Sequence, residues 1–308
     1  MNAKKIIRKA TRLLTDPDYR FHVKDRLGLE KSVSDEEYLR HMYRYKTGKV
    51  LNLENPVTFN EKLQWLKLHD RKPEYVTMVD KYAVKEYVAE KIGAEYVIPL
   101  LGVWDSAEDI DFQSLPDRFV LKCTHDSGGL VICKDKKTLD VEKARSTLRK
   151  SLQHDYFAYG REWPYKNVPH RVIAEQYMED SDGKGELTDY KLHYFSGDCK
   201  AIMVGQNRFG PNGLENDYYT PEWEHFDFTR GHSHNAPEHS PKPPQMEKMI
   251  ELGKKLALDM PFVRVDFYVI NGNIYFGEIT FYPASGFNLF HPDEWDRVFG
   301  DWIRLPKE

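Results

Sequence analysis

Cysteine is scarce in this 308-residue chain: Cys123, Cys133 and Cys199 are an odd number and lack any C-x-x-C spacing. This excludes a disulfide framework and a thiolate zinc site, and the three read as thiols in a reducing compartment. Long hydrophobic runs are also missing. The longest nearly apolar stretch, Tyr96 to Trp104, is about half of what a membrane span needs and contains Pro99. Behind the basic residues of Met1 to Leu14 no continuous apolar segment follows, so no signal peptide is read there. The 19 Gly and 17 Pro fit neither a collagen-like nor a low-complexity chain, and no internal repeat appears. Several active-site signatures are absent: G-x-x-x-x-G-K-[ST], G-x-G-x-x-G and H-E-x-x-H. Gly231-His232-Ser233-His234-Asn235 lacks the closing Gly of a nucleophile elbow. The expectation is a soluble cytoplasmic globular protein without a side-chain nucleophile.

Aromatic residues are plentiful, with 19 Tyr, 16 Phe and 6 Trp, which excludes disorder. The net charge of -4 is unevenly spread: residues 1–31 hold nine Lys/Arg against four Asp/Glu. There Ile6, Ala10, Leu13 and Leu14 share one helical face among Lys5, Arg8, Lys9 and Arg12. The first reading of this pattern is a helix docked on its own domain with solvated cations. It also suits peripheral contact of residues 1–14 with an anionic membrane, at the inner membrane face. Basic residues do not recur with interleaved aromatics, so no nucleic-acid partner is expected.

Helical patterning runs to about Lys49, with Ser34 before Glu36 and Glu37 as a helix start. Thr58 to His69 and Val79 to Ile92 read as helices, the second stopped by Gly93, and Tyr96 to Val103 reads as a buried strand. From Arg118 onward, Val-, Ile-, Tyr- and Phe-rich runs between turn residues predict an antiparallel sheet, interrupted by helices at Val141–Gln153 and Gln245–Leu258. Thr229 to Pro244 reads as a long loop, whose His232, His234 and His239 lack a carboxylate partner pattern and read as solvated.

The strongest local signal is Phe262 to Ile270, the turn Asn271-Gly272-Asn273, and Ile274 to Phe281. A two-residue turn would place Val265 opposite Glu278. A three-residue turn, or a bulge of equal effect, places Asp266 opposite Glu278 and Arg264 opposite Thr280. Only the second register sorts the faces. It puts Val263, Val265, Phe267, Val269, Ile279 and Phe281 on one side and Arg264, Asp266, Glu278 and Thr280 on the other. Opposed carboxylates at ~5 Å suit Mg²⁺, with Arg264 as a fixed cation; a surface ion-pair cluster is the alternative. Removing one of two opposed carboxylates is expected to relieve repulsion and leave the fold intact.

Three weaker signals accompany it. Phe119 to Cys123 and Leu130 to Lys134 flank the loop Thr124 to Gly129, whose paired glycines let backbone N–H groups approach phosphate, with Lys122 adding charge. Val172 to Met178 is an apolar strand with an isolated Glu175. Asp189 and Lys191 share a strand face.

Taken in order, these elements resemble the ATP-grasp superfamily over roughly Asp80 to Pro306. Asn55-Pro56-x-Thr58-Phe59-Asn60-Glu61-Lys62 and Gly277-Glu278-Ile279-Thr280-Phe281-Tyr282-Pro283 are closer still to its TupA-like family. The resemblance implies an α+β fold, two α+β subdomains clasping ATP between antiparallel sheets behind an N-terminal helical extension. The divisions are 1–50 (basic helical extension), 51–115 (N-terminal α/β subdomain), 116–170 (grasping subdomain) and 171–308 (C-terminal metal-binding subdomain). It implies that Lys81, opening a helix, Lys122, His125, Ser127, Gly128, Gly129, Glu175, Gln176, Tyr177 and Asp189 bind ATP. Glu175 would face the exocyclic amine and Tyr177 would act by its backbone. Asp266, Glu278 and Thr280 would hold Mg²⁺, and Arg264, Lys191 and Arg208 would be catalytic; Thr280 stands where the superfamily usually has Asn.

The activity implied is ADP-forming carboxylate–amine ligation through an acyl phosphate, on small-molecule or polymer-linked substrates. The setting implied is cell-surface polysaccharide, capsule, exopolysaccharide or teichuronopeptide biosynthesis. Two rivals stand beside it: an ATP-grasp kinase acting on a sugar, and a glycosyltransferase using Asp180-Ser181-Asp182 as a D-x-D metal motif.

Overall fold

The structure, a computed structural model, describes residues 3–30, 32–181, 187–206, 213 and 215–306. Arg208 and Asp182 lie outside the described residues. Helices α1 (Ala3–Thr15), α2 (Pro17–Arg26), α3 (Asp35–Thr47), α4 (Phe59–His69), α5 (Glu74–Val79) and α6 (Ala83–Ile92) come first. A four-stranded antiparallel sheet joins β1 (Leu100–Trp104), β2 (Phe119–Cys123), β3 (Leu130–Cys133) and β4 (Val172–Gln176) in the order β1-β4-β2-β3. Helix α7 (Val141–Leu152) covers its apolar face, where Phe119, Leu121, Cys123, Val172 and Ala174 meet Ala144 and Leu148 in a small core.

The larger sheet contains β5 (Asp189–Phe195), β6 (Asp198–Gln206), β7 (Glu215–Tyr219), β8 (His225–Phe226), β10 (Val263–Ile270) and β11 (Asn273–Thr280). Its order is β11-β10-β5-β6-β7-β8. Strand β9 (Thr229–Arg230) pairs with β12 (Phe290–His291), while α8 (Met246–Ala257) and α9 (Glu294–Trp302) pack on the large core. That core also takes residues of α3 to α6, so these helices and the large sheet form one body. The divisions read from the sequence at 115/116 and 170/171 therefore cut through the small sheet, which draws β1 and β4 from either side of them.

Local chemistry explains most elements. Thr58 caps α4 in a reciprocal box with Glu61, and Ser34 caps α3. The helix expected over Val79–Ile92 is instead split, because the Asp80 carboxylate accepts the N–H groups of Tyr82 and Ala83 and pairs with Arg171 at 2.8 Å. Lys81 consequently sits in a turn rather than opening a helix, and its N–H donates to Thr124 O at 3.2 Å. The strand expected as buried over Tyr96–Val103 begins only at Leu100 and lies at the sheet edge, with Leu100, Leu101 and Val103 exposed. A short apolar run carries no information about edge or centre.

The β10–β11 hairpin sorts its faces by a bulge. Its turn is the two-residue Asn271-Gly272, both with positive φ, so Ile270 pairs with Asn273. Gly277 is the extra residue of a bulge opposite Asp266 and Phe267, which restores the pairs Asp266–Glu278, Val265–Ile279 and Arg264–Thr280. A side chain on Gly277 would press on Asp266 O at 3.2 Å and Tyr268 at 3.1 Å.

In α1, the described side chains from Ile7 to Thr15 are exposed, Leu14 by 80%. The first reading, a helix docked on its own domain, is therefore corrected for the described part of its apolar face: Ala10, Leu13 and Leu14 meet solvent. No helix among the described residues is long and apolar enough to cross a membrane.

Candidate active site

The two sheets face each other across a cleft of about 280 Å³. Lys122, Ser127, Gly129 and Glu175 line the small-sheet side; Asp189, Lys191, Asp266 and Glu278 line the other; Lys81 and Lys85 come from the helical layer. Alternation along β2 explains the first wall: Phe119, Leu121 and Cys123 point to α7, which leaves Lys122 on the cleft face. On β10, Val263, Val265 and Phe267 are buried in the large core, which leaves Arg264 and Asp266 facing away.

On the small sheet, Glu175 is buried and bridges two lysines, Lys122 at 2.5 Å and Lys85 at 2.6 Å. Burial alone would raise its carboxyl, but the two ammonium groups hold it below the ordinary value. Lys85 also donates to Ile98 O at 2.8 Å. Burial lowers both Lys81 and Lys85, opposed by Glu278 and Asp126 for the first and Glu175 for the second. The Lys81 ammonium donates to Asp126 O, tying the helical turn to the Gly128-Gly129 loop.

On the large sheet, Asp266 is 1% exposed and saturated by cations. Arg264 grips both its oxygens at 2.7 Å, and Lys191 approaches Oδ2 at 2.7 Å while also holding Asp189. Arg264 reaches Glu278 Oε1 at 2.5 Å as well; there the Thr280 hydroxyl donates to Glu278 at 3.1 Å and accepts from Arg264 at 3.1 Å. Burial would lower Arg264, and Asp266 and Glu278 outweigh it, so its pKa is raised. Asp266 and Glu278 are thus on one face, facing Lys122 and the glycine loop, and Arg264 lies between them rather than bare repulsion. The expectation that removing one carboxylate relieves repulsion is corrected: each already has a cation.

Among the described residues no three His, Cys, Asp or Glu side chains are grouped to hold a metal ion by themselves. Asp266 and Glu278 supply hard oxygen donors, and the Glu278 side chain is 47% exposed to the cleft. That donor set fits Mg²⁺ completed by phosphate oxygens and water, and does not fit an all-protein cage.

Not every expected residue reaches the cleft. His125 is fully buried, stacked on His170 at 3.6 Å, with Nε2 against Ser151 O and His154 O. Burial lowers its pKa, and it lines neither the cleft nor the neighbouring cavity. Gln176 and Tyr177 lie past the cleft wall, Gln176 exposed with its N–H on Pro99 O and Tyr177 under the Arg118 guanidinium at 4.3 Å. Gly128 does not line the cleft, whereas Gly129 does: its N–H donates to Asp126 Oδ1 at 3.1 Å. The sequence reading missed Lys85, in the first turn of α6, and Asp126, whose carboxylate organises the loop through Gly129 and Ser151.

A second cavity of about 620 Å³ adjoins the cleft and shares Lys81, Asp126, Ser127, Tyr165 and Glu278 with it. Arg264 and Thr280 line this side too, so the ion cluster of β10 and β11 stands where the two cavities meet.

A family described as TupA-like ATPgrasp matches residues 61–304. No curated protein matches the chain. Among solved structures, D-alanine–D-alanine ligase from Helicobacter pylori is similar at 19% identity and TM-score 0.42, over 80% of this chain and 69% of that one. The Bacillus anthracis D-alanine–D-alanine ligase complexed with ATP is 16% identical, TM-score 0.41, over 74% and 60%. An L-amino acid ligase from Bacillus licheniformis is 13% identical, TM-score 0.43, over 82% and 57%. The chain spans less than two thirds of the length of the last two.

Proposed function

The chain belongs to the TupA-like ATP-grasp family and has the α+β ATP-grasp fold, and from this premise we propose that it is an ADP-forming carboxylate–amine ligase. The observation that carries the reading is the pair of joined cavities with opposite charge on facing walls. A nucleotide fits the first, between Lys122, Lys85 and Lys81 on one side and the acidic strands with Asp189, Asp266 and Glu278 on the other.

Lys122, Lys81 and Lys191 would neutralise phosphate charge, and Asp266 and Glu278 would hold Mg²⁺. Bound there, the metal would screen phosphate oxygens and orient the terminal phosphoryl group. A substrate carboxylate would take that phosphoryl group to give an acyl phosphate, with Arg264 beside the developing negative charge. An amine would then displace phosphate. No step needs a side-chain nucleophile. The setting proposed is the assembly of cell-surface polysaccharide, capsule or teichuronopeptide, with a uronic-acid or amino-acid substrate.

The test is product analysis with a panel of uronic acids and amino acids. ADP and phosphate released together with an amide support the ligase; ADP with a phosphosugar would make it a kinase. UDP release would make it a glycosyltransferase, although Asp180 of the D-x-D triplet lines neither cavity. The exposed basic helix α1 supports loose attachment to an anionic membrane surface, each basic residue contributing about 1 kcal/mol. Co-sedimentation with anionic liposomes should fade with salt and with deletion of residues 1–14.

A further inference from the structure

The second cavity contains a charge that the ligation scheme above leaves unused. Glu162, 5% exposed, forms part of its wall just after Gly160 and Arg161, both with positive φ. The facing turn at Ser285 forms another part of that wall. Behind it, on α4, lies the fully buried Lys67 ammonium. Lys67 has four acceptors, none of them Glu162: Gln64 Oε1 at 3.0 Å, Gly160 O at 2.7 Å, and Ser285 O and Oγ at 2.9 Å. Glu162 therefore feels Lys67 only at a distance, and burial raises its carboxyl while lowering the lysine. A buried carboxylate with no cation in contact is costly unless something else supplies one.

The geometry points to the source. The groups coupled to Glu162 besides Lys67 are Tyr156 and Tyr165 on its own stretch, Tyr282 after β11 and, farther off, Glu278. Lys46, Lys81, Arg264, His232 and His291 line the same cavity, and among the described residues none of them is ion-paired with Glu162: Lys81 is held by Asp126 O and Arg264 by Asp266 and Glu278. The cavity beside Glu162 opens toward Glu278 and Arg264, where the acyl group would be activated. We propose that this cavity is the acceptor site, that it takes a primary amine as its ammonium form, and that Glu162 receives the proton that makes the amine a nucleophile. The inference rests on the ligase reading and deepens it.

The step balances. The ammonium gives one proton to the Glu162 carboxylate. The freed amine nitrogen bonds to the carbonyl carbon of the acyl phosphate, the carbon–oxygen bond to phosphate breaks, and phosphate leaves with that electron pair and takes up the second amine proton. Lys67 and Ser285 are positioning residues: their bonds tie Gly160, two residues before Glu162, to the left-handed turn at Ala284 and Ser285 that forms the opposite wall.

Hydroxylamine separates the two halves, because it is already neutral near pH 7 and traps acyl phosphates as hydroxamates without a base. The experiment runs wild type and Glu162→Gln with Mg·ATP and a carboxylate panel, against hydroxylamine and against amino acids and amino sugars. Expected is hydroxamate formation within about threefold of wild type in the variant, with amide formation down about 100-fold or more. Wild type should also show an acid-side fall in amide formation that hydroxamate formation lacks. No hydroxamate from wild type overturns the ligase reading and this inference together. Hydroxamate with no amide from any amine, or amide turnover retained in Glu162→Gln, overturns the inference alone. Loss of both products in the variant also overturns it, and calorimetry of Mg·ATP binding together with Glu162→Asp, expected to restore part of the amide rate, separates that result from failure to fold.

Discussion

On the small sheet one carboxylate, Glu175, is shared by Lys85 and Lys122; on the large sheet three carboxylates, Asp189, Asp266 and Glu278, share Lys191 and Arg264. The first cluster has a positive charge in excess and the second a negative one. Both walls are nevertheless built from strands whose other face is apolar, Phe119 and Leu121 in one case and Val263, Val265 and Phe267 in the other. The difference shows where charge can be spared. A wall short of carboxylate has cations to offer phosphate, whereas a wall rich in carboxylate can admit a divalent cation while its own arginine and lysine keep it folded.

The largest effect should come from the deepest member of the acidic wall. Asp266→Asn leaves the guanidinium and Lys191 facing a neutral amide, and should cost about 3–5 kcal/mol in urea unfolding as well as all turnover. Glu278→Gln, at a half-exposed position, should also abolish turnover but cost about 1 kcal/mol or less. Equal stability losses would erase the distinction between a buried and a cleft-facing carboxylate.

On the basic wall, Lys122→Ala should weaken Mg·ATP binding about 100-fold in calorimetry, or ~2.7 kcal/mol, with Lys85 left to hold Glu175. Tight UDP-sugar binding without ATP binding would show that the positive wall serves another nucleotide.

Much of this was legible from residue order. Period-two alternation in β10 and β11, and the requirement that charges share a face, were enough to place Arg264, Asp266, Glu278 and Thr280. The device that does it was only half legible: the facial sorting demanded one extra residue, but the sequence could not say whether turn or bulge holds it, and Gly277 does. His125 was assigned through the resemblance alone, and no local pattern could show that its ring packs on His170, 45 positions away. Glu162 and Lys67 were invisible because Lys67 bonds to Gly160 O, two residues before Glu162, and to the turn at Ser285, each far from it in sequence.

The two glycines of the loop across the cleft sharpen the comparison at a smaller scale. A methyl on Gly129 would meet Cys123 Sγ at 2.6 Å and collide with Ser151, so Gly129→Ala should cost about 1–3 kcal/mol. One on Gly128 has only Asp126 nearby, at 3.6 Å, and Gly128→Ala should fall within about 0.5 kcal/mol. Thermal unfolding of the pair tests whether the loop is anchored at one residue or both.

The smallest effect lies in acid. Because Lys122 and Lys85 hold the Glu175 carboxyl below its ordinary value of 4.5, against burial, its ionised form binds fewer protons in the folded chain than in the unfolded one. The stabilisation is therefore fully present above that ordinary value and is lost as pH falls through the lowered, folded one. Glu175→Gln, which leaves both lysines without their carboxylate, should be less stable than wild type at neutral pH. The gap between the two urea midpoints should then close as pH drops below 4.5. A gap unchanged down to about pH 3 would mean that the lysines are held by the fold rather than by Glu175, and that the positive wall owes its geometry to packing instead of charge.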